Sequence, residues 1–277
     1  MSNQFENLTC LTPVRVHSYL VDVQIETVKD VLVVNRSVTF RAIPLPSPYG
    51  VLYTWDFGDG SSLVTESQST VTYSYSSRGV YNISVSANNT INSVETVECY
   101  QVFEEITGLH VAADEVAEVG ATVTLNASVQ TGDSITWIFD MGDGTVLRSQ
   151  VPVVEHVYTK DINCTVNVTA VNPVNSVSQT IPVWIFVLEV LRIDPTSCIL
   201  EHPDVQLTAY VTGNPDEYIF DWTFGDGSSN VTVSGDPVVM HNFTRSGTFP
   251  LSLTLSSRFN KAHYFTSVCV EPEIVNV

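Results

Sequence analysis

The chain has 277 residues, enough for two or three domains that each bury their own core. Its 30 Asp and Glu outnumber its 11 Lys and Arg, and the formal net charge of -19 repels nucleic acid and anionic membrane surfaces. With 44% hydrophobic residues and strand formers throughout, the composition also excludes a disordered chain.

The chain opens on Met1-Ser2-Asn3-Gln4, which has neither the charged start nor the apolar stretch of a signal peptide. Alternating strands are predicted at Val38–Ala42, Tyr81–Val85, Val123–Ala127, Val205–Ala209 and Phe249–Leu253, because apolar residues recur there with period two. Pro250, inside the last of these, suits an edge strand or a position with its missing N–H facing outward. The most apolar run, Ile181 to Leu191, holds Pro182 and Glu189 and is too short to span a bilayer. No stretch of helical length shows a 3.6-residue period.

One pattern recurs three times. Trp55-Asp56-Phe57-Gly58-Asp59-Gly60 returns as Phe139-Asp140-Met141-Gly142-Asp143-Gly144 and as Trp222-Thr223-Phe224-Gly225-Asp226-Gly227. From Gly58 to Gly142 is 84 residues, and from Gly142 to Gly225 is 83. A second landmark keeps the same register: Tyr73-Ser74-Tyr75, His156-Val157-Tyr158 and His241-Asn242-Phe243, followed by Tyr81, Cys164 and Phe249. Several short strands with Gly, Asn, Asp and Ser turns in each period define the expected fold: all-β, tandem immunoglobulin-like sandwiches.

In that fold Trp55 and Trp222 fill the gap between two sheets, and Trp137 shares the facing of Phe139 two residues on. Gly58, Gly60, Gly142, Gly144, Gly225 and Gly227 let the chain reverse, while Asp56, Asp59, Asp140, Asp143 and Asp226 offer carboxylates to backbone N–H groups of the turn. These residues are read as structural. Calcium binding by the acidic turns is weighed and set aside, since Thr223 replaces the first Asp in the third copy and EF-hand spacing is absent. Neither G-x-S-x-G nor H-E-x-x-H occurs, so no catalytic, metal or cofactor residue is assigned and a non-catalytic chain is expected. Most aromatics fall at inward strand positions, which leaves few for a glycan-binding platform.

Nine Asn-x-Ser/Thr sequons stand at Asn7, Asn35, Asn82, Asn88, Asn126, Asn163, Asn167, Asn230 and Asn242. Their number and spread point to secretory export. A glycosylated chain with neither leader nor anchor reads as a piece of a larger protein.

The W-D-F-G-D-G element, with the aromatic-x-x-x-Gly-x-aromatic runs Tyr75 to Tyr81 and Phe243 to Phe249, resembles the PKD domain, and the resemblance covers nearly the whole chain. Val187–Arg192, Phe220–Asn230 and His263–Ser267 look closer still to the extracellular PKD arrays of the polycystin family. That resemblance implies a multi-pass receptor of the plasma or ciliary membrane that partners a polycystin-2-type channel. It also implies repeats that mediate homophilic or heterophilic protein contacts between cells or with matrix, and that resist stretching. The alternative is a glycan- or protein-ligand-binding accessory module of a secreted protein. The second copy departs from the pattern at Met141, Ile162 and Cys164.

By this register residues 1–19 end a preceding repeat, and repeats span 20–104, 105–188 and 189–277. Cys198 lies between the first two strands of the third copy and Cys269 on its last, so a Cys198–Cys269 bridge is the first choice. Cys10 and Cys99 both fall on final strands, and a bond between them stays open. Cys164 reads as a buried free thiol.

Overall fold

The computed structural model describes residues 18–46, 50–200 and 204–272. Among them one short 3-10 turn, Pro215–Glu217, is the sole helical element, and all else ordered is strand. By compactness these residues fall into two units. One holds 18–107 with 130–135 and 171–176; the other holds 108–129, 136–170 and 177–272.

The first copy runs β1 (Asp22–Thr27), β2 (Leu32–Val33), β3 (Val38–Leu45), β4 (Leu52–Asp56), β5 (Val64–Glu66), β6 (Thr70–Tyr73), β7 (Gly79–Asn88) and β8 (Ser93–Phe103). These form a three-stranded sheet, β1-β3-β6, and a five-stranded sheet, β2-β8-β7-β4-β5. The second copy repeats the plan with β9 (His110–Ala113), β10 (Val116–Glu118), β11 (Thr122–Ser128), β12 (Thr136–Asp140), β13 (Val146–Ser149), β14 (Val153–Val157), β15 (Ile162–Val171) and β16 (Ser176–Phe186). Its sheets are β14-β11-β9 and β10-β16-β15-β12-β13. The third has β17 (Val190–Asp194), β18 (Ile199–Leu200), β19 (Val205–Val211), β20 (Ile219–Thr223), β21 (Val231–Ser234), β22 (Val238–His241), β23 (Gly247–Ser256) and β24 (Lys261–Glu271), in sheets β17-β19-β22 and β18-β24-β23-β20-β21.

Alternation decides the facing. In β3 the burial runs Val38, Phe40, Ala42 and Pro44 inward, with the intervening residues outward. Trp55, Phe139 and Trp222 are each fully buried on the central strands β4, β12 and β20. Trp137 also faces the core, but the position equivalent to the two tryptophans belongs to Phe139, and Trp137 matches Tyr53 and Phe220. The indole nitrogens of Trp55 and Trp222 are buried without a hydrogen-bond partner. These rings are therefore kept for volume rather than for their polar handle.

The first strand of each copy changes sheets. β1 pairs antiparallel with β3, whereas β2 pairs parallel with β8 through Leu32 opposite Val102 and Val33 opposite Phe103. The same parallel edge recurs as β10 on β16 and β18 on β24.

The edge-strand alternative for Pro250 and the enclosed thiol of Cys164 are corrected. Pro250 does not lie on an edge strand: β23 is internal, paired with β20 and β24. Pro250 sits two residues beyond the end of the β20 ladder, where the Gly225 turn takes the neighbouring place, so no ladder bond to β20 is lost. Cys164 is half-buried rather than enclosed, and its thiol donates to the Met141 carbonyl at 3.4 Å.

Candidate functional site

The repeated turns form one constellation in three versions. In the first copy Asp56 Oδ1 accepts the Gly58 N–H at 2.8 Å and Asp59 Oδ1 accepts the Ser61 N–H at 3.0 Å. Asp140 and Asp143 do the same for Gly142 and Thr145, at 3.1 and 2.9 Å. Thr223 has no carboxylate to offer, and in the third copy Asp226 caps the turn through the Ser228 N–H at 2.9 Å. The second carboxylate oxygen is tied across the sandwich from the facing sheet. Tyr73 donates to Asp59 at 2.6 Å, His156 to Asp143 at 2.7 Å and His241 to Asp226 at 2.8 Å. The donor ring also stacks: Tyr73 on Phe57 at 3.7 Å, and His241 on Phe224 at 3.6 Å. Two residues further on, the buried Tyr75 and Tyr158 donate to the Phe57 and Met141 carbonyls.

Burial works against the charged form of Asp226, but the hydrogen bonds from Ser228 and His241 outweigh it and bring its pKa from 3.8 to about 2. Asp143 and Asp59 are lowered for the same reason, with His156 and Tyr73 as the donors. A carboxylate held low in the folded state stabilises above its ordinary pKa, and that stability is lost as pH falls through the lowered value. The third copy should therefore lose about 1–2 kcal/mol between pH 4 and pH 2, with the Asp226 side chain only 7% exposed. Denaturant midpoints across that window check it: Asp226→Asn should be less stable at pH 5 and should flatten the slope.

The constellation does structural work. Every carboxylate in it is spent on backbone N–H groups or on a ring donor. Among the described residues, the grouping of His, Cys, Asp and Glu within metal-ligand spacing is Cys198, Cys269 and Glu271, whose two sulfurs are bonded to each other. That bridge joins the segment between β17 and β18 to β24, with Cα atoms 4.5 Å apart, across 71 residues of sequence. Closing so long a loop restricts the unfolded chain, so reduction or Cys198→Ser should cost the third copy about 2–4 kcal/mol by equilibrium unfolding. Cys99 is an exposed free thiol on β8, while Cys10 lies outside the described residues.

Of the sequon asparagines, Asn7 lies outside the described residues. Asn35, Asn82, Asn88, Asn126, Asn163, Asn230 and Asn242 are exposed. Asn167 is half-buried on β15, with its Oδ1 enclosed and unpartnered.

A third recurring element escapes sequence reading. The hairpins β7–β8 and β15–β16 turn through Asn89–Asn92 and Asn172–Asn175, and β23–β24 turns through Ser257–Asn260. In the first two copies the asparagines reach back to the segment that enters the sandwich. Asn92 accepts the Leu20 N–H and donates to its carbonyl, at 2.9 and 2.8 Å, while Asn89 donates to Ser18. Asn175 treats Ile106 identically at 2.9 and 2.9 Å, and Asn172 donates to the Glu104 carbonyl at 2.8 Å. Leu20 and Ile106 are each 1% exposed, so each of these two entry segments is fastened by a buried side chain and by both backbone polar groups of that residue. In the third copy Thr212 takes over, donating to the Val187 carbonyl and accepting the Glu189 N–H, and Asn260 instead donates to Glu118 and to the Val119 carbonyl. The signal for these residues was present in the sequence, at the same period as the Gly-Asp-Gly turns.

Three tandem two-sheet sandwiches, each closed by a Gly-Asp-Gly turn tied to the opposite sheet, define the class. The chain belongs to the PKD domain family, which matches residues 22–99, 108–185 and 191–270. It is similar to human polycystin-1, with 57% identity over 276 residues that cover all of this chain and 6% of that protein. It is also similar to polycystin-1-like protein 1 of Oryzias latipes, 29% identical over 78% of this chain and 8% of that one. The chain thus spans less than a tenth of the length of these relatives. Among solved structures it resembles the I67–I69 I-band fragment of titin, at 12% identity and a TM-score of 0.46, covering 93% of this chain and all of that one. The full ectodomain of mouse nectin-like molecule 4 gives 14% identity and 0.43, covering 89% and 99%. Among the described residues no helix is long and apolar enough to cross a membrane.

Proposed function

We propose that the chain is a non-catalytic extracellular segment of a polycystin-1-like receptor of the plasma or ciliary membrane, one that bears tension and contributes to cell–cell or cell–matrix adhesion. The repeats are taken as 20–104, 105–188 and 189–277, with residues 1–19 closing a preceding one. Contacts with a polycystin-2-type channel belong to the rest of such a receptor. The sequon asparagines are offered as glycan sites, with the half-buried Asn167 the least suited of them.

The observation behind the mechanical reading is the fastening of the connectors. Ile106 is bonded at both its N–H and its carbonyl, and Thr212 bonds on both sides of Leu188. A pull on the chain enters each sandwich through a connector that is already hydrogen-bonded into it, with no slack linker to take it up. Inside a copy the early edge strand runs parallel to the last, so a pull on the two ends shears their bonds together instead of unzipping them singly. Bonds outside the ladder reinforce that edge, Val119 N–H to the Phe186 carbonyl at 2.9 Å and Trp184 N–H to the Glu115 carbonyl at 2.7 Å.

Adhesion is tested with coated beads. Clustering of beads that carry the chain, or of such beads with cells, supports the adhesive part through multivalent weak contacts. No clustering in either arrangement leaves a passive spacer.

A further inference from the structure

The second unit contains a groove of about 1080 Å³. Strand alternation explains its apolar wall. β16 turns Ile181, Val183 and Ile185 into the core, which leaves Trp184 outward and 51% exposed. Val116 at 54%, Leu191 at 58% and Phe259 at 51% line the same groove. Four large apolar side chains at least half exposed in one concavity are more than scattered surface residues account for.

Its charge is one-sided. Asp114, Glu118 and Glu217 line it against the single cation Arg258. Glu118 is 7% exposed, accepts from Asn260 Nδ2 at 2.6 Å and takes part in no ion pair among the described residues. This carboxylate meets the groove with an amide for a partner and no cation beside it among the described residues. None of the eight described sequon asparagines lines the groove.

We propose that this groove docks a basic peptide segment of a protein partner, one that sets a Lys or Arg against Glu118 and its acidic neighbours and lays an apolar anchor on Trp184 and Phe259. An aromatic wall beside carboxylates suits such a segment twice over, because a cation is drawn to both. A second copy of this chain fits poorly, since it brings a formal charge of -19 to an already acidic wall. A neutral glycan could stack on Trp184 but leaves the carboxylates unanswered.

The proposal deepens the adhesive reading and rests on it only for the partner being a protein. The test is selection of a random 12-residue peptide library on the whole chain, then solution titration of the consensus peptide. The expected consensus places Arg or Lys beside an aromatic or large aliphatic residue. Affinity should fall about tenfold or more in Trp184→Ala and in Glu118→Gln, and fall with added salt. It should be unchanged in Phe265→Ala, a residue 78% exposed that does not line the groove. Thermal melting certifies each fold, and Glu217→Gln serves if Glu118→Gln does not fold. No enrichment, a consensus without basic residues, or binding indifferent to Trp184→Ala overturns the proposal. So do glycan-array binding or self-association that Trp184→Ala abolishes, in favour of a glycan or a second copy. Bead clustering is not part of this readout: its loss alone removes the adhesive reading, and loss of peptide binding alone removes this assignment.

Discussion

Trp222→Ala is expected to destabilise the third repeat by about 3–5 kcal/mol while the first repeat melts unchanged. The indole is fully buried opposite Leu253, in a core that also holds Leu207, Phe220 and Phe224, so truncation leaves a cavity that the two sheets cannot close by sliding together. The first repeat has a separate core around Trp55 and should not register the loss. Trp222→Phe is the informative companion. It also deletes a buried N–H that has no partner, and the second repeat already carries Phe139 at the equivalent place. Its cost should therefore be about 1–2 kcal/mol, well below that of alanine. Repeat-resolved amide exchange during unfolding separates the transitions. Equal loss in both repeats would mean that their cores are coupled.

Gly225→Ala should be nearly as damaging, and Gly227→Ala much milder, although the two glycines stand two residues apart in one turn. Both have positive φ, at 65° and 93°, so each substitution meets the left-handed penalty of about 1–2 kcal/mol. Only Gly225 has a neighbour in the way: a Cβ there would lie 2.2 Å from the Pro250 carbonyl oxygen, whereas a Cβ on Gly227 meets nothing within 4 Å. Backbone cannot swing aside as a side chain can, so the clash adds about 1–3 kcal/mol. The pattern holds across the copies. A Cβ on Gly58 would run into the Asn82 carbonyl oxygen and one on Gly142 would lie 2.7 Å from the Thr165 carbonyl oxygen, while a Cβ on Gly60 or Gly144 meets nothing within 4 Å. Denaturant titration of the six alanine variants should split them into two groups by position in the motif. A split by repeat would show that local packing, and not the turn, sets the cost.

This division explains what the sequence made legible. Gly-Asp-Gly could be read as a turn because a positive φ and a carboxylate near backbone N–H groups are local requirements, written within six residues. The strands were legible for the same reason, since period-two burial is a property of the strand itself. The tie from Tyr73, His156 and His241 to the aspartates was only half visible. Their shared register marked them, yet a strand-end hydrogen bond does not announce its partner 13 to 15 residues away.

The hairpin asparagines recur visibly with the period of the repeats, but what they fasten does not. Asn92 and Asn175 sit in hairpin turns, where asparagine needs no further explanation, and their targets Leu20 and Ile106 lie 72 and 69 residues earlier. The parallel edge strands β2, β10 and β18 are two or three residues long, too short for any periodicity to register. The outward turn of Trp184 was missed for a different reason. Its run, Ile181 to Leu191, is apolar on both faces, and alternation says which residues share a face without saying which face is buried.

The most direct test of the account is single-molecule stretching of the whole chain, with and without reductant. Each full repeat should release roughly 240–280 Å of contour at substantial force. Without reductant the third repeat's step should all but vanish, because the bridge withholds about 250 Å in the 71 residues between Cys198 and Cys269. Adding reductant should restore three similar steps. Featureless extension at low force, or three full steps before any reductant, would contradict a tension-bearing array of fastened repeats.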